Sequence, residues 1–260
     1  MTDLELALEL ADLADLISLD RYLASDLVVE SKPDLTPVSD ADKAVENKIR
    51  LQLAKVAADD GIIGEEFESS SSTNNREWIL DPIDGTKNFI RGVPVWATLI
   101  ALRVNGVITV GVVSSPALGR RWYASAAAGA FVIETVGGSK KVRRLAVSKV
   151  SKVSDASFAH SEIVKKDIWE GDYDNFLKLS NDVWRTRGFG DFWSYMLVAE
   201  GAVDFAIEPK LALWDMAALS VIVKEAGGSF TNLAGIAGVS GPSAIASNGL
   251  LHKELVSRFS

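Results

Sequence analysis

Two aspartates, Asp81 and Asp84, stand three positions apart at the end of an apolar run, Trp78-Ile79-Leu80-Asp81-Pro82-Ile83-Asp84-Gly85-Thr86-Lys87-Asn88. The run begins as a short strand and ends as a turn entering a helix, and Pro82 stiffens the link between the two acids. Carboxylate oxygens in this setting suit a hard cation such as magnesium, which takes oxygen ligands in octahedral geometry and keeps several waters. Gly85 and Thr86 follow directly and offer free backbone amides at a helix start, where an anion is favoured. The stretch can therefore hold hard cations on one side and a phosphate on the other.

Glu65 and Asp215 extend the acidic set. Glu65 ends the short apolar run Gly61-Ile62-Ile63-Gly64 and is followed by Glu66, and Asp215 opens a helix. Strand ends and helix starts are where α/β folds gather ligands. Four carboxylates brought together repel one another unless cations neutralise them. Taken singly, each has an ordinary explanation. Asp215 could cap helix amides, Asp84 before Gly85 could be a turn residue, and Glu65 could be a solvated strand end. Asp42, in Ser39-Asp40-Ala41-Asp42, matches a helix capping box, and the Thr86 hydroxyl could merely cap its helix.

The elements that must position these groups are partly legible. Leu6, Leu10, Leu13 and Ile17 mark one face of a helix over residues 3–24. Residues 30–37 carry two prolines and read as a polar loop. A second helix from Ser39 turns Val45, Ile49, Leu53 and Val56 inward. Residues 69–75 read as a surface loop. Runs at 96–104, 107–114 and 121–124 read as strands, with Asn105-Gly106 as a hairpin turn between the first two. Further on come a strand over 182–187, a helix over 192–200, a strand over 204–207 and a helix over 215–226 stopped by Gly227-Gly228. Nothing in the sequence marks a linker or repeat, so a single unit spanning 1–260, an α/β fold of layered sheets and helices, is expected.

Composition narrows the chemistry. The net charge of -8 lacks the basic stripe that a nucleic-acid surface needs. With no cysteine there can be no disulfide, thiolate zinc site or cysteine nucleophile. Two histidines, His160 and His252, leave little for a histidine-based triad or metal site, and both read as surface residues. The acidic start Met1-Thr2-Asp3-Leu4-Glu5 is unlike a signal peptide. No uncharged apolar run approaches the roughly 18 residues of a membrane span, so a cytoplasmic location without nucleic-acid or membrane partners is expected.

The blocks Gly64-Glu65-Glu66, Trp78 through Phe89, and Trp214-Asp215-Met216-Ala217-Ala218 through Gly227-Gly228 resemble the inositol monophosphatase family, in the right order and over nearly the whole chain. The resemblance implies a layered αβαβα sandwich of the inositol monophosphatase / fructose-1,6-bisphosphatase type. It also implies magnesium-dependent hydrolysis of a small phosphate monoester. By resemblance, Glu65, Asp81, the backbone carbonyl of Ile83, Asp84 and Asp215 bind two or three Mg2+ ions, with Mn2+ a possible substitute. Asp42 hydrogen-bonds Thr86, which helps activate the attacking water, and Gly85 and Thr86 hold the phosphate. Family members are commonly homodimers.

The alcohol half of the ester is read elsewhere. Glu208, seven positions before Asp215, matches the family's substrate-contacting acid. Arg187 and Asp191 lie in Arg187-Gly188-Phe189-Gly190-Asp191-Phe192, where inositol-type members carry small neutral residues near Asp191. Two acids, Asp191 and Glu208, suit a cationic leaving group. Asp191 could instead be the N-cap of its helix, and Arg187 could pair with a nearby acid. Asn248, before Gly249, is expected either in a substrate pocket, reached across a dimer interface, or in a plain turn. Trp96, Trp122 and Trp193 are candidate pocket walls. Together with Phe89 through Trp96, the 190–195 segment resembles the histidinol-phosphate phosphatases of this family. The rival readings are an inositol-1-phosphatase or broad sugar and nucleotide phosphatase, and a non-catalytic binding protein on the same fold.

Overall fold

A computed structural model describes residues 1–161, 166–169 and 171–259. The N-terminal helices are fixed first by their caps. In α1 (Asp3–Arg21), Thr2 and Glu5 form a reciprocal capping box. In α2 (Asp40–Val56) the amide of Ser39 donates to Asp42 Oδ2 at 2.8 Å. Helix α1 stops three residues short of the sequence expectation. Tyr22 leaves the helix to pack its ring 5.5 Å from Phe89 and 5.3 Å from Trp96, and its hydroxyl donates to the Gly92 carbonyl. The stretch expected as a loop over 30–37 is instead framed by a small antiparallel hairpin, β1 (Val29–Ser31) and β2 (Pro37–Ser39).

A seven-stranded sheet follows in sequential order: β3 (Gly61–Gly64), β4 (Arg76–Asp84), β5 (Ala97–Val104), β6 (Val107–Ser115), β7 (Arg120–Ser125), β8 (Gly129–Val136) and β9 (Ser139–Arg144). Only the β3–β4 pair is parallel. Asn105 and Gly106 both take positive φ, as the expected tight hairpin requires. The strands alternate strictly. Trp78, Leu80, Ile100, Leu102 and Val112 meet α1 and α2 on one face, while Ile79, Leu99, Val113, Trp122 and Val132 face the other way. Between β4 and β5 lies α3 (Thr86–Ile90). Strands β8 and β9 escape the sequence reading; β9 is fully exposed and built of Ser, Lys, Val and Arg, an edge strand with no apolar alternation to find.

A second, five-stranded sheet has the order β11 (Arg185–Gly188), β10 (Ser157–His160), β12 (Phe205–Glu208), β14 (Ala244–Ser247) and β13 (Ser229–Thr231), with parallel and antiparallel neighbours mixed. Between the sheets lie α5 (Asp191–Ala199) and α6 (Leu213–Glu225). Helix α6 is apolar all round, buried from Met216 to Val223, because it has a sheet on either side. It lies against β6 at Gly111, where a Cβ would come within 2.7 Å of the Ala218 carbonyl. On the outer face of the small sheet, α4 (Tyr173–Asp182) and α7 (His252–Ser257) cover Phe158, Phe205, Ile207 and Ile245. The layers run helix, sheet, helix, sheet, helix, as the αβαβα expectation requires. Among the described residues no helix is long and apolar enough to cross a membrane.

Candidate metal and phosphate site

In a regular strand, residues three apart point to opposite faces. The β4–β5 pairing is in register at Asp81↔Leu99, and resumes shifted at Asp84↔Ala97. That irregularity, at Pro82-Ile83 and clamped by the Thr98 hydroxyl donating to the Pro82 carbonyl at 2.8 Å, turns both aspartates toward one place. There they meet Asp215, in the first turn of α6: Asp81, Asp84 and Asp215 each offer an oxygen within 4.8 Å of the others. Asp215 is aimed by the Ala212 amide at 2.7 Å, and Asp84 by the Phe192 amide of α5 at 2.6 Å. Carboxylates from two elements more than a hundred residues apart in sequence, β4 and α6, thus converge on one point.

The group is electrostatically costly by itself. Burial, followed by the fields of Glu65, Asp84 and Asp215, raises the Asp81 carboxyl well above its usual range. Burial and the Asp191 charge do the same to Asp84, and burial pushes Asp215 up to about 6. Asp81 Oδ1 is buried with no hydrogen-bond partner among the described residues. An orphaned buried oxygen inside an all-oxygen donor set fits a hard divalent cation, which would supply the missing partner and cancel the repulsion.

Glu65 adds its field to Asp81, Asp84, Asp215 and Asp42. Its own Oε1 is held by Lys32 Nζ at 2.8 Å, and Lys32 reaches Glu66 at 2.7 Å. The ammonium comes from the turn of the β1–β2 hairpin, a segment whose two prolines suggest a loop. Beneath it the wholly buried Glu46 accepts the Glu66 amide at 2.8 Å and Arg50 Nε at 2.8 Å. Gly64 must lack a side chain because a Cβ would collide with the Glu46 carboxylate. Glu46 carries no sequence signal beyond its place on a helix.

Asp42 serves both roles that its sequence allows. Its Oδ2 closes the α2 capping box, while its Oδ1 accepts the Thr86 hydroxyl at 3.2 Å. The same hydroxyl lies 3.0 Å from the Ile83 carbonyl, so Asp42, Ile83 and Thr86 form one contact group. Burial raises the Asp42 carboxyl. Gly85 takes φ +86°, and a Cβ there would lie 2.9 Å from the Val95 carbonyl, so only glycine fits.

Glu208 and Asp191 reach the same region from the small sheet and α5. Glu208, at the end of β12, is buried and accepts the Ser161 amide at 2.6 Å. Asp191 is the first residue of α5 and Gly190 the cap, so capping is not its use; its Oδ2 accepts Asn88 Nδ2 at 3.1 Å. Arg187 is exposed on edge strand β11 and donates to the Thr186 carbonyl, with no contact to the acids. Asn248 stands apart from Glu208 of its own chain. It adjoins the Asp204 end of β12, four residues or about 13 Å from Glu208. Its side-chain amide donates to Ser148 Oγ and the Val150 carbonyl, and its Oδ1 accepts the Leu251 amide. Trp96 and Trp122 are core residues with no exposed surface rather than pocket walls. His160, expected at the surface, is buried against Phe158 and Phe176.

A fold of this layering with a carboxylate trio at the lip of its larger sheet defines a class of metal-dependent phosphoesterase scaffolds, and the comparisons agree. An IMPase from Thermotoga maritima superposes with a TM-score of 0.86 at 29% identity, covering 100% of this chain and 97% of its own. The extragenic suppressor protein suhB of Bartonella henselae gives 0.85 at 27%, covering 98% and 97%. The profile of the inositol monophosphatase family matches residues 3–259, and the chain belongs to that family. Two relatives named histidinol-phosphatase cover 98% of it: one from Mycobacterium tuberculosis at 53% identity over 97% of its own length, one from Streptomyces coelicolor at 54% over 96%.

Proposed function

We propose that this protein is a histidinol-phosphatase of histidine biosynthesis, hydrolysing L-histidinol phosphate to L-histidinol and phosphate. The observation that carries the reading is the convergence of Asp81, Asp84 and Asp215 in a chain 53% identical, over 98% of its length, to a relative of that name. Glu65, Asp81, the Ile83 carbonyl, Asp84 and Asp215 are assigned as ligands of two or three Mg2+ ions, with Mn2+ as a substitute. When bound, such ions supply Lewis acidity and neutralise charge for in-line displacement at phosphorus.

The chain's own groups do the rest. The amides of Gly85 and Thr86 hold the phosphate oxygens at the start of α3. The Thr86 hydroxyl gives its proton to the Asp42 hydrogen bond, which leaves its lone pairs to accept from the attacking water and aim it. Burial raises the basicity of Asp42 and so favours proton uptake through Thr86. Glu208 and Asp191 face the alcohol and favour one that carries an ammonium. Arg187 and Asn248 have no part in this assignment. Homodimeric assembly and a cytoplasmic location belong to the same proposal.

The test is phosphate release from L-histidinol phosphate and from inositol 1-phosphate, with magnesium and with chelator. Magnesium-dependent turnover with a strong preference for histidinol phosphate supports the reading; equal rates on the two esters refute the cationic pocket.

A further inference from the structure

The two acids assigned to the alcohol are tied together by one residue. The Ser161 amide donates to Glu208 Oε1 at 2.6 Å, and the Ser161 hydroxyl accepts the Asp191 amide at 2.8 Å. The next amide, that of Phe192, donates to Asp84 Oδ2 at 2.6 Å. A single line of hydrogen bonds therefore runs from Glu208 through Ser161 and the first two residues of α5 to Asp84 in the metal group.

Its middle link is under strain. Asp191 sits at φ +46° although it has a Cβ, a left-handed conformation that persists only when neighbouring groups hold it. Gly190 before it takes φ +81°, and its amide lies 3.3 Å from the His160 carbonyl. Two consecutive positive-φ residues thus turn the chain so that the Asp191 amide faces Ser161 while its carboxylate faces Asn88.

We propose that Ser161 is a positioning residue for substrate selectivity: its hydroxyl holds Asp191 in the left-handed turn that presents the second carboxylate to a cationic alcohol, while its amide independently fixes the first. The inference rests on reading Asp191 and Glu208 as contacts of that alcohol. The two handles are separable, because Ser161→Ala removes the hydroxyl and leaves the amide on Glu208.

The experiment compares wild type, Ser161→Ala, Ser161→Thr, Asp191→Asn and the Ser161→Ala/Asp191→Asn double variant on L-histidinol phosphate and on glycerol 2-phosphate, whose alcohol is uncharged. Ser161→Ala is expected to raise KM for histidinol phosphate about tenfold with kcat within about twofold, and to shift glycerol 2-phosphate far less. Ser161→Thr restores the hydroxyl and most of the affinity. The double variant is no worse than Asp191→Asn, because both act through one carboxylate. Equal kcat losses on both esters, or multiplying effects in the double variant, overturn the proposal.

A wild type that does not distinguish the esters refutes the cationic reading instead. The Ser161 assignment then stands or falls on hydrogen exchange of the Asp191 amide. It is expected to be at least about tenfold faster in Ser161→Ala and near wild type in Ser161→Thr; unchanged protection overturns it.

Discussion

The two sheets bring acids to one cleft in different ways. The seven-stranded sheet does it mainly with one run: β4 supplies Asp81 and Asp84 across a local irregularity and α3 follows at once with Gly85 and Thr86, while the parallel neighbour β3 leads separately to Glu65. The five-stranded sheet is built of strands of three or four residues, and its contributions, Ser161, Asp191 and Glu208, come from three separate segments. Four of the groups assigned to phosphate and cations, Asp81, Asp84, Gly85 and Thr86, are encoded together, with Asp42, Glu65 and Asp215 brought in from elsewhere, whereas the groups assigned to the leaving alcohol share no such run. On the proposed assignment, bond breaking belongs to the large sheet and discrimination among esters is assembled on the other side.

The sharpest break of that comparison is Asp84→Asn. It keeps the acceptor for the Phe192 amide but removes a charge from the trio. We expect kcat on any ester to fall by about a thousandfold or more, with circular dichroism and Tm preserved; near-normal turnover would mean that the large sheet does not carry the chemistry. Thr86→Ala removes the hydroxyl shared by Asp42 and Ile83 and should lower kcat roughly a hundredfold, with Thr86→Ser recovering most of it. On the other sheet, Glu208→Gln should act on KM, about tenfold for histidinol phosphate and little for a neutral alcohol. A kcat collapse there would erase the division between the sheets.

A stability measurement tests the large-sheet acids without substrate. Asp81, Asp84 and Asp215 are raised in the folded chain, Asp215 to about 6, so the folded state binds more protons than the unfolded one between the ordinary aspartate value and that point. In chelator, Tm should therefore fall as pH rises from about 4 to 7, by several degrees, and magnesium should raise Tm more at pH 7.5 than at pH 5. A Tm in chelator that climbs over this range would contradict the repulsion inferred among these groups. The smallest kinetic effect belongs to Asn248→Ala. It strips three internal hydrogen bonds and should cost about 1–3 kcal/mol of stability in a denaturant titration, with kcat and KM unchanged.

The same contrast explains what could be read from sequence. The hairpin at Asn105-Gly106, the strands on either side of it and helix α6 with its Gly227-Gly228 stop follow from local chemistry and periodicity, and so does the Asp81–Thr86 run. Strands β10, β13 and β14 are only three or four residues long, and β9 is exposed throughout. With β10 unseen, Ser161 had no strand end to mark it. Asn248-Gly249 is informative about a turn and silent about which end of a sheet the turn occupies. Lys32 lies in a segment whose prolines suggested a loop, while its role depends on two acids more than thirty residues away.

Gly111 gives the central helix a remote point of leverage. It lets α6 rest directly on β6 beneath Ala218, less than one helical turn past Asp215. Any bulkier residue there would lift the helix and carry Asp215 away from Asp81 and Asp84. On the proposed assignment of Asp215 as a cation ligand, a position that touches neither ion nor ester is thus bound by the tolerances of coordination chemistry, and substitutions at it would surface first as weakened cation affinity, ahead of any loss of fold.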